Sequence, residues 1–173
     1  LPVSWNATGD DGQNDPLLLG EYRIQYSSYV ASWSTSSAQV IIATTGVNPG
    51  SAVGYTITDA NLKPNASYYM TIRAADMRPN WSPLSNVATG VTLANAPSAL
   101  SSPLLGVGQS SVAFSWFANA NSPGTEYSLE ASTYSNFSLI AASQSFFTAS
   151  ATFSGLGINA PYYFQAKAKN FAG

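Results

Sequence analysis

Apolar and polar residues alternate with a period of two along most of this chain, and that pattern predicts strands. Tyr22, Ile24 and Tyr26 share one face of a run whose other face carries Arg23, Gln25 and Ser27. Tyr68, Met70, Ile72 and Ala74 repeat the arrangement, with Tyr69, Thr71 and Arg73 directed outward. Farther along, Val112, Phe114 and Trp116 alternate with Ala113 and Ser115, and Tyr127, Leu129 and Ala131 line one side of the next strand. Turn-forming clusters separate these runs: Gly9-Asp10-Asp11-Gly12, Asn48-Pro49-Gly50 and Asn119 to Gly124. No dozen residues sustain a helical 3.6-residue period with caps, so the chain reads as all-β.

The strand pattern occurs twice. A tryptophan in an alternating run opens each half, at Val3-Ser4-Trp5 and at Val112 to Trp116. Each half later carries a leucine followed six residues on by a tyrosine that starts a strand, Leu62 with Tyr68 and Leu156 with Tyr162. Two copies of one β unit set the architecture before any residue is asked about chemistry. The expected domains are residues 1–94 and 95–173, joined near Leu93 to Pro97 by a short, proline-stiffened link.

The order and spacing of these residues resemble tandem fibronectin type III domains. The paired Leu62/Tyr68 and Leu156/Tyr162 are similar to that family's tyrosine corner, in which the phenol bonds back to backbone while its ring packs on the core. Trp5 and Trp116 match the family's core tryptophan. Ala74-Ala75-Asp76 with Ser82 to Asn86, and Ala168 to Gly173, resemble the end of the sixth strand and the loop after it. Gly9 to Gly12, Tyr22 to Ser27 and Trp33 resemble a subgroup found in large secreted bacterial surface proteins. Ile158 stands where the family usually has proline. The resemblance implies two immunoglobulin-like β-sandwiches in tandem. The first strand of domain 1 and the last strand of domain 2 have no segment to supply them, as expected of a piece of something longer.

Composition narrows the function. Hydrophobic residues make up 45% of the 173, enough for two ordinary cores, whereas charged residues are only 8% against about 25% in a typical soluble protein. Ser, Thr, Asn and Gln must therefore carry solubility, which fits a secreted or cell-surface protein. With six basic residues and a net charge of −2, the chain lacks the cationic cluster that nucleic acid or an anionic membrane surface requires. No apolar run is long enough to span a bilayer as a helix.

Histidine and cysteine are both absent. That removes Ser-His-Asp and Cys-His nucleophiles, imidazole and thiolate metal sites, and any disulfide framework. Carboxylate chemistry remains, but Glu126 and Glu130, four apart on a strand, stand about 13 Å apart. That exceeds the span of about 5–9.5 Å used by a glycosidase pair. Asp10, Asp11 and Asp15 share one loop, yet their spacing matches no EF-hand, and the reading favoured is a tight turn. Four Asn-x-Ser/Thr sequons, at Asn6, Asn65, Asn80 and Asn136, are about as many as this composition gives by chance.

Aromatic residues outside the core alternation, namely Tyr29, Trp33, Tyr69 and Trp81, are the candidates for contact with a sugar, with Trp81 the most suggestive. The expected protein is thus non-catalytic, without cofactor or metal: an extracellular spacer or adhesive module of a larger bacterial protein. Its partners would be neighbouring domains of that protein, other copies of itself or surface glycans. The alternatives are a filament subunit assembled by strand donation and a carbohydrate-contacting accessory of a polysaccharide-degrading enzyme.

Overall fold

Leu17 is 1% exposed while the next two residues, Leu18 and Leu19, are 57% and 71% exposed, and a bulge explains the contrast. The register slips there, Leu19 takes a left-handed φ of 51°, and a Cβ on Gly20 would sit 2.2 Å from the carbonyl of Ala75. Only glycine fits so close to a neighbouring backbone. Its N–H is met by the hydroxyl of the buried Thr44 at 2.9 Å.

The computed structural model describes residues 1–173, the side chains of residues 100–102 excepted, and is all-β. Six strands come first: β1 (Pro2–Asn6), β2 (Leu17–Ser27), β3 (Val40–Val47), β4 (Ala52–Thr56), β5 (Ser67–Ala75) and β6 (Ala88–Val91). Six follow: β7 (Ser98–Val107), β8 (Ser111–Phe117), β9 (Tyr127–Ser132), β10 (Ala142–Phe146), β11 (Ser150–Ser154) and β12 (Tyr163–Ala168). The chain divides into two units, one of Leu1–Leu62 with Ser67–Val91, the other of Lys63–Ala66 with Thr92–Gly173.

In the first unit, β1 pairs with β4, and a second sheet runs in the order β3-β2-β5-β6, every pair antiparallel. Register places Tyr22 opposite Ala74, Ile24 opposite Ile72 and Tyr26 opposite Met70, so the predicted inward faces of β2 and β5 coincide. Ile24 is wholly buried and Tyr22 nearly so. Burying one such side chain contributes about 1.5–3 kcal/mol. One outward assignment changes. Gln25 is buried, because the loop after β2 folds back and its amide donates to the Ser32 carbonyl at 3.1 Å while accepting from the Ser34 N–H at 3.0 Å.

The second unit repeats the plan with sheets β7-β8-β11 and β10-β9-β12, again antiparallel. Trp116, Tyr127, Leu129, Ala131, Phe153 and Leu156 form its core. Phe114 and Phe164 meet across it with ring centroids 4.4 Å apart. Val112 and Phe114 are half-buried rather than sealed, because the flank between β8 and the segment leading into β12 opens into a cleft of about 700 Å³.

Strand for strand, β1 to β6 take the second to seventh places of a fibronectin type III sandwich, and β7 to β12 take the first to sixth. The fold is therefore two such β-sandwiches in tandem. Among the described residues no strand fills the first place of the first unit or the last place of the second.

Candidate functional site

The aromatic anchors occupy equivalent places in the two units. Trp5 on β1 meets Tyr22 edge-on with centroids 5.1 Å apart, and Trp116 on β8 meets Tyr127 edge-on at 5.5 Å. Trp116 is buried, whereas Trp5 is half-buried and lines a cleft of about 490 Å³ between β1 and β5. Tyr68 is buried and packs edge-on against Tyr26, with Leu62 half-buried a turn before it. Tyr162 lies half-buried just ahead of β12, and its hydroxyl accepts the Gly157 N–H at 3.1 Å, with Leu156 buried beside it.

Trp81 is placed by an unusual edge. Beyond Asp76 the chain turns back, and the segment from Trp81 to Ser85 runs along the outer edge of β5. Trp81 bridges Ala75. Ser82 donates its N–H to the Ala74 carbonyl at 2.9 Å and accepts the Ala74 N–H on its hydroxyl at 3.0 Å. Ser85 does the same with Ile72, at 3.1 and 3.0 Å. Hydroxyls here replace the strand carbonyls that an extended partner would offer, which satisfies the β5 amides although Pro83 interrupts any regular strand. The Arg23 guanidinium lies 5.1 Å from the centre of the Trp81 ring. Its Nε donates to Glu21 at 2.7 Å and it also reaches the Thr35 carbonyl, so the cation is held in place.

The turn before Trp81 is organised by Asp76. One carboxylate oxygen accepts the N–H groups of Arg78 and Asn80, each at 2.8 Å, and the other accepts the Asn80 amide at 2.6 Å. The Asn80 side-chain amide, with the Asn80 and Arg78 N–H groups, holds this carboxyl below the usual aspartate range. Opposite stands the loop Gly9–Asp15, closed by the Gly9 N–H to the Gly12 carbonyl and the Asp10 N–H to the Asp15 carbonyl. A Cβ on Gly9 would meet the Asn14 carbonyl at 2.1 Å, so glycine is required there. Together these two turns enclose a cleft of about 360 Å³ at one end of the first unit, lined by Thr8, Asp10, Gln13, Asp76, Asn80 and Trp81 among others. Asp10, Asp11 and Asp15 belong to this loop and shape its turns, with Asp15 itself at a φ of 53°. Among the described residues no three carboxylates, histidines or cysteines gather as a metal site.

The other sugar-contact candidates are scattered. Tyr29 is 67% exposed, Trp33 and Tyr69 are half-buried, and none of the three lines the Trp81 cleft. Glu126 and Glu130 are each engaged by a lysine, Lys169 at 3.3 Å and Lys167 at 2.8 Å. The Lys167 ammonium and the Gln165 amide hold the Glu130 carboxyl below its ordinary value, and the Ser145 hydroxyl and Lys169 do so for Glu126. Neither is poised as a proton donor near neutral pH.

Two features escape a period-two reading of the sequence. Asn65, inside a sequon, is wholly buried in the second unit at a φ of 50°. Its amide donates to the Thr125 hydroxyl at 2.8 Å and to the Lys169 carbonyl at 3.1 Å, and its oxygen accepts the Phe171 N–H at 2.7 Å. Tyr26, read as core, also donates its hydroxyl to the Asp59 carboxylate. Asparagine's tolerance of left-handed backbone was the only local hint for the first. Nothing local pointed to the second.

No family model matches this chain, and none of the curated proteins matches it either. Among solved structures, the chicken CNTN1 FN1-FN3 domains are similar at 17% identity over 90% of this chain, with a TM-score of 0.36. This chain spans about half the length of that one.

Proposed function

We propose that this chain is a non-catalytic pair of fibronectin type III modules that spaces or presents other parts of a larger extracellular protein, with a bacterial cell-surface protein as its parent. The observation that carries the reading is the serial repetition of one sandwich, each copy with its own aromatic core. Repetition of a self-contained unit extends a molecule without adding chemistry. The near-neutral surface supports the same reading, since it offers little to attract charged partners. The two carboxylates weighed for acid–base work, Glu126 and Glu130, are each paired with a lysine. Among the described residues no helix is long and apolar enough to cross a membrane.

Single-molecule pulling of the 173-residue chain between terminal handles tests this. A load-bearing spacer gives two separate unfolding events, one per sandwich. Extension without a resolved event, or one event for the whole chain, would remove the spacer reading.

A further inference from the structure

We propose that the cleft between the Gly9–Asp15 loop and the Asp76–Trp81 turn of the first unit is a binding subsite for a neutral, hydroxyl-rich ligand, a glycan, with the Trp81 indole as its apolar wall. Three larger clefts, beside Trp5, beside Phe114 and along β1 and β4, are lined in whole or in part by strand residues, and nothing in the structure identifies an occupant for them. The loop-end cleft differs in that two tight turns form it, with polar side chains from both around the Trp81 indole. Its volume of about 360 Å³ lies at the small end of the range of about 300–1,000 Å³ found for small-molecule sites.

Its walls are fixed before any ligand arrives. Trp81 is pinned through the bridge to Ala75 and the paired hydrogen bonds of Ser82 to Ala74. Arg23 covers the indole from outside, since the arginine is not part of the cleft lining. The Asp76 carboxylate locks the turn that carries Asn80 and Trp81. The opposite wall is a closed loop in which Gly9 admits no side chain. A ligand entering such a site meets groups that need little further ordering.

The lining chemistry selects the class. Asp10 and Asp76 supply acceptors, the Gln13 and Asn80 amides supply donors and acceptors, and the Thr8 hydroxyl supplies both. A sugar hydroxyl likewise donates and accepts, while the C–H face of a sugar ring packs against an aromatic plane. No lysine or arginine lines the cleft, and two carboxylates do, which disfavours phosphate, sulfate and other anions. The site is separate from the spacer role, and neither reading needs the other.

The test is a titration of the isotope-labelled 173-residue chain followed by amide and indole NMR shifts. The probes are neutral oligosaccharides of glucose, xylose and N-acetylglucosamine, with putrescine as a cationic arm. At least one sugar is expected to give saturable shifts in residues 8–13 and 76–82 and at the Trp81 indole N–H, with a Kd in the millimolar range or tighter. Trp81→Ala should weaken binding by about tenfold or more. Should Trp81→Ala disturb the fold, Trp81→Phe and the exposed-loop variant Gln13→Ala decide, each expected to weaken binding several-fold with the spectrum otherwise unchanged. Absence of saturable shifts with every sugar, shifts centred elsewhere, or response to putrescine alone would overturn the proposal.

Discussion

The hydroxyl of Tyr162 accepts the N–H of Gly157, five residues back along the chain, at 3.1 Å, while its ring stands 6.3 Å from that of Phe164. One side chain therefore ties the turn before β12 to the core beneath it. Tyr162→Phe keeps the ring and removes the acceptor, so the second unit should lose about 1 kcal/mol. Urea unfolding of the two proteins side by side measures this. Equal midpoints would show that the hydrogen bond contributes nothing net.

Tyr26 and Asp59 predict a pH dependence with two limbs. The Tyr26 hydroxyl, with help from the Asn61 N–H, holds the Asp59 carboxyl below its usual range. A lowered folded pKa contributes stability that is present above the unfolded value near 3.8 and lost as pH falls through the folded one. Burial and then the Asp59 partner push the Tyr26 phenol upward. That contribution is complete below the unfolded value near 10 and is lost as pH rises above it, because the unfolded chain ionises first. Tyr26→Phe should flatten both limbs for the first unit. Thermal unfolding from pH 3 to 11 checks the difference between variant and parent.

Asn65→Ala leaves the Phe171 N–H, the Lys169 carbonyl and the Thr125 hydroxyl without their partner, and puts alanine at a left-handed φ. The expected cost is about 2–3 kcal/mol. Asn65→Gly relieves the backbone but not the lost bonds, so it should fall between alanine and the parent. Expression in a glycosylating host should also leave Asn65 unmodified, because its amide nitrogen is buried and engaged. Intact-mass measurement after peptide mapping reads this directly.

Ile24 and Phe153 are the most deeply buried large side chains of the two units, each 0% exposed. Ile24→Ala should cost the first unit about 2–5 kcal/mol, and Phe153→Ala should cost the second about 3–5 kcal/mol. Amide hydrogen exchange should show lost protection in β2 and β5 for one variant and in β8 and β11 for the other. Protection lost everywhere in both variants would mean a single cooperative core.

Lys167 and Glu130 form a cross-strand ion pair whose lysine is largely in solvent. Lys167→Met should change the stability of the second unit by less than about 1 kcal/mol, and the change should shrink with added salt. A larger, salt-independent loss in chemical unfolding would mark the Glu130 cluster as something other than a surface pair.

Much of the architecture was legible from the chain alone, because side chains alternate across a strand and burial of one face leaves a period-two trace. That trace located β2, β5, β8 and β9 and the repeat they belong to. It misjudged Gln25, since a loop returning from seven residues away covers it, and no alternation within β2 encodes that loop. Trp81 was singled out on its type and its place in a loop. What surrounds it, namely Arg23 on the ring, the Gly9–Asp15 loop opposite and Asp76 beneath the turn, comes from three separate stretches of sequence. Strand periodicity is a local property, written wherever a chain must hide one side of itself. A cleft, a buried amide such as Asn65 or a pair such as Tyr26 and Asp59 depends on distances between segments far apart in sequence, and only the folded chain sets those distances.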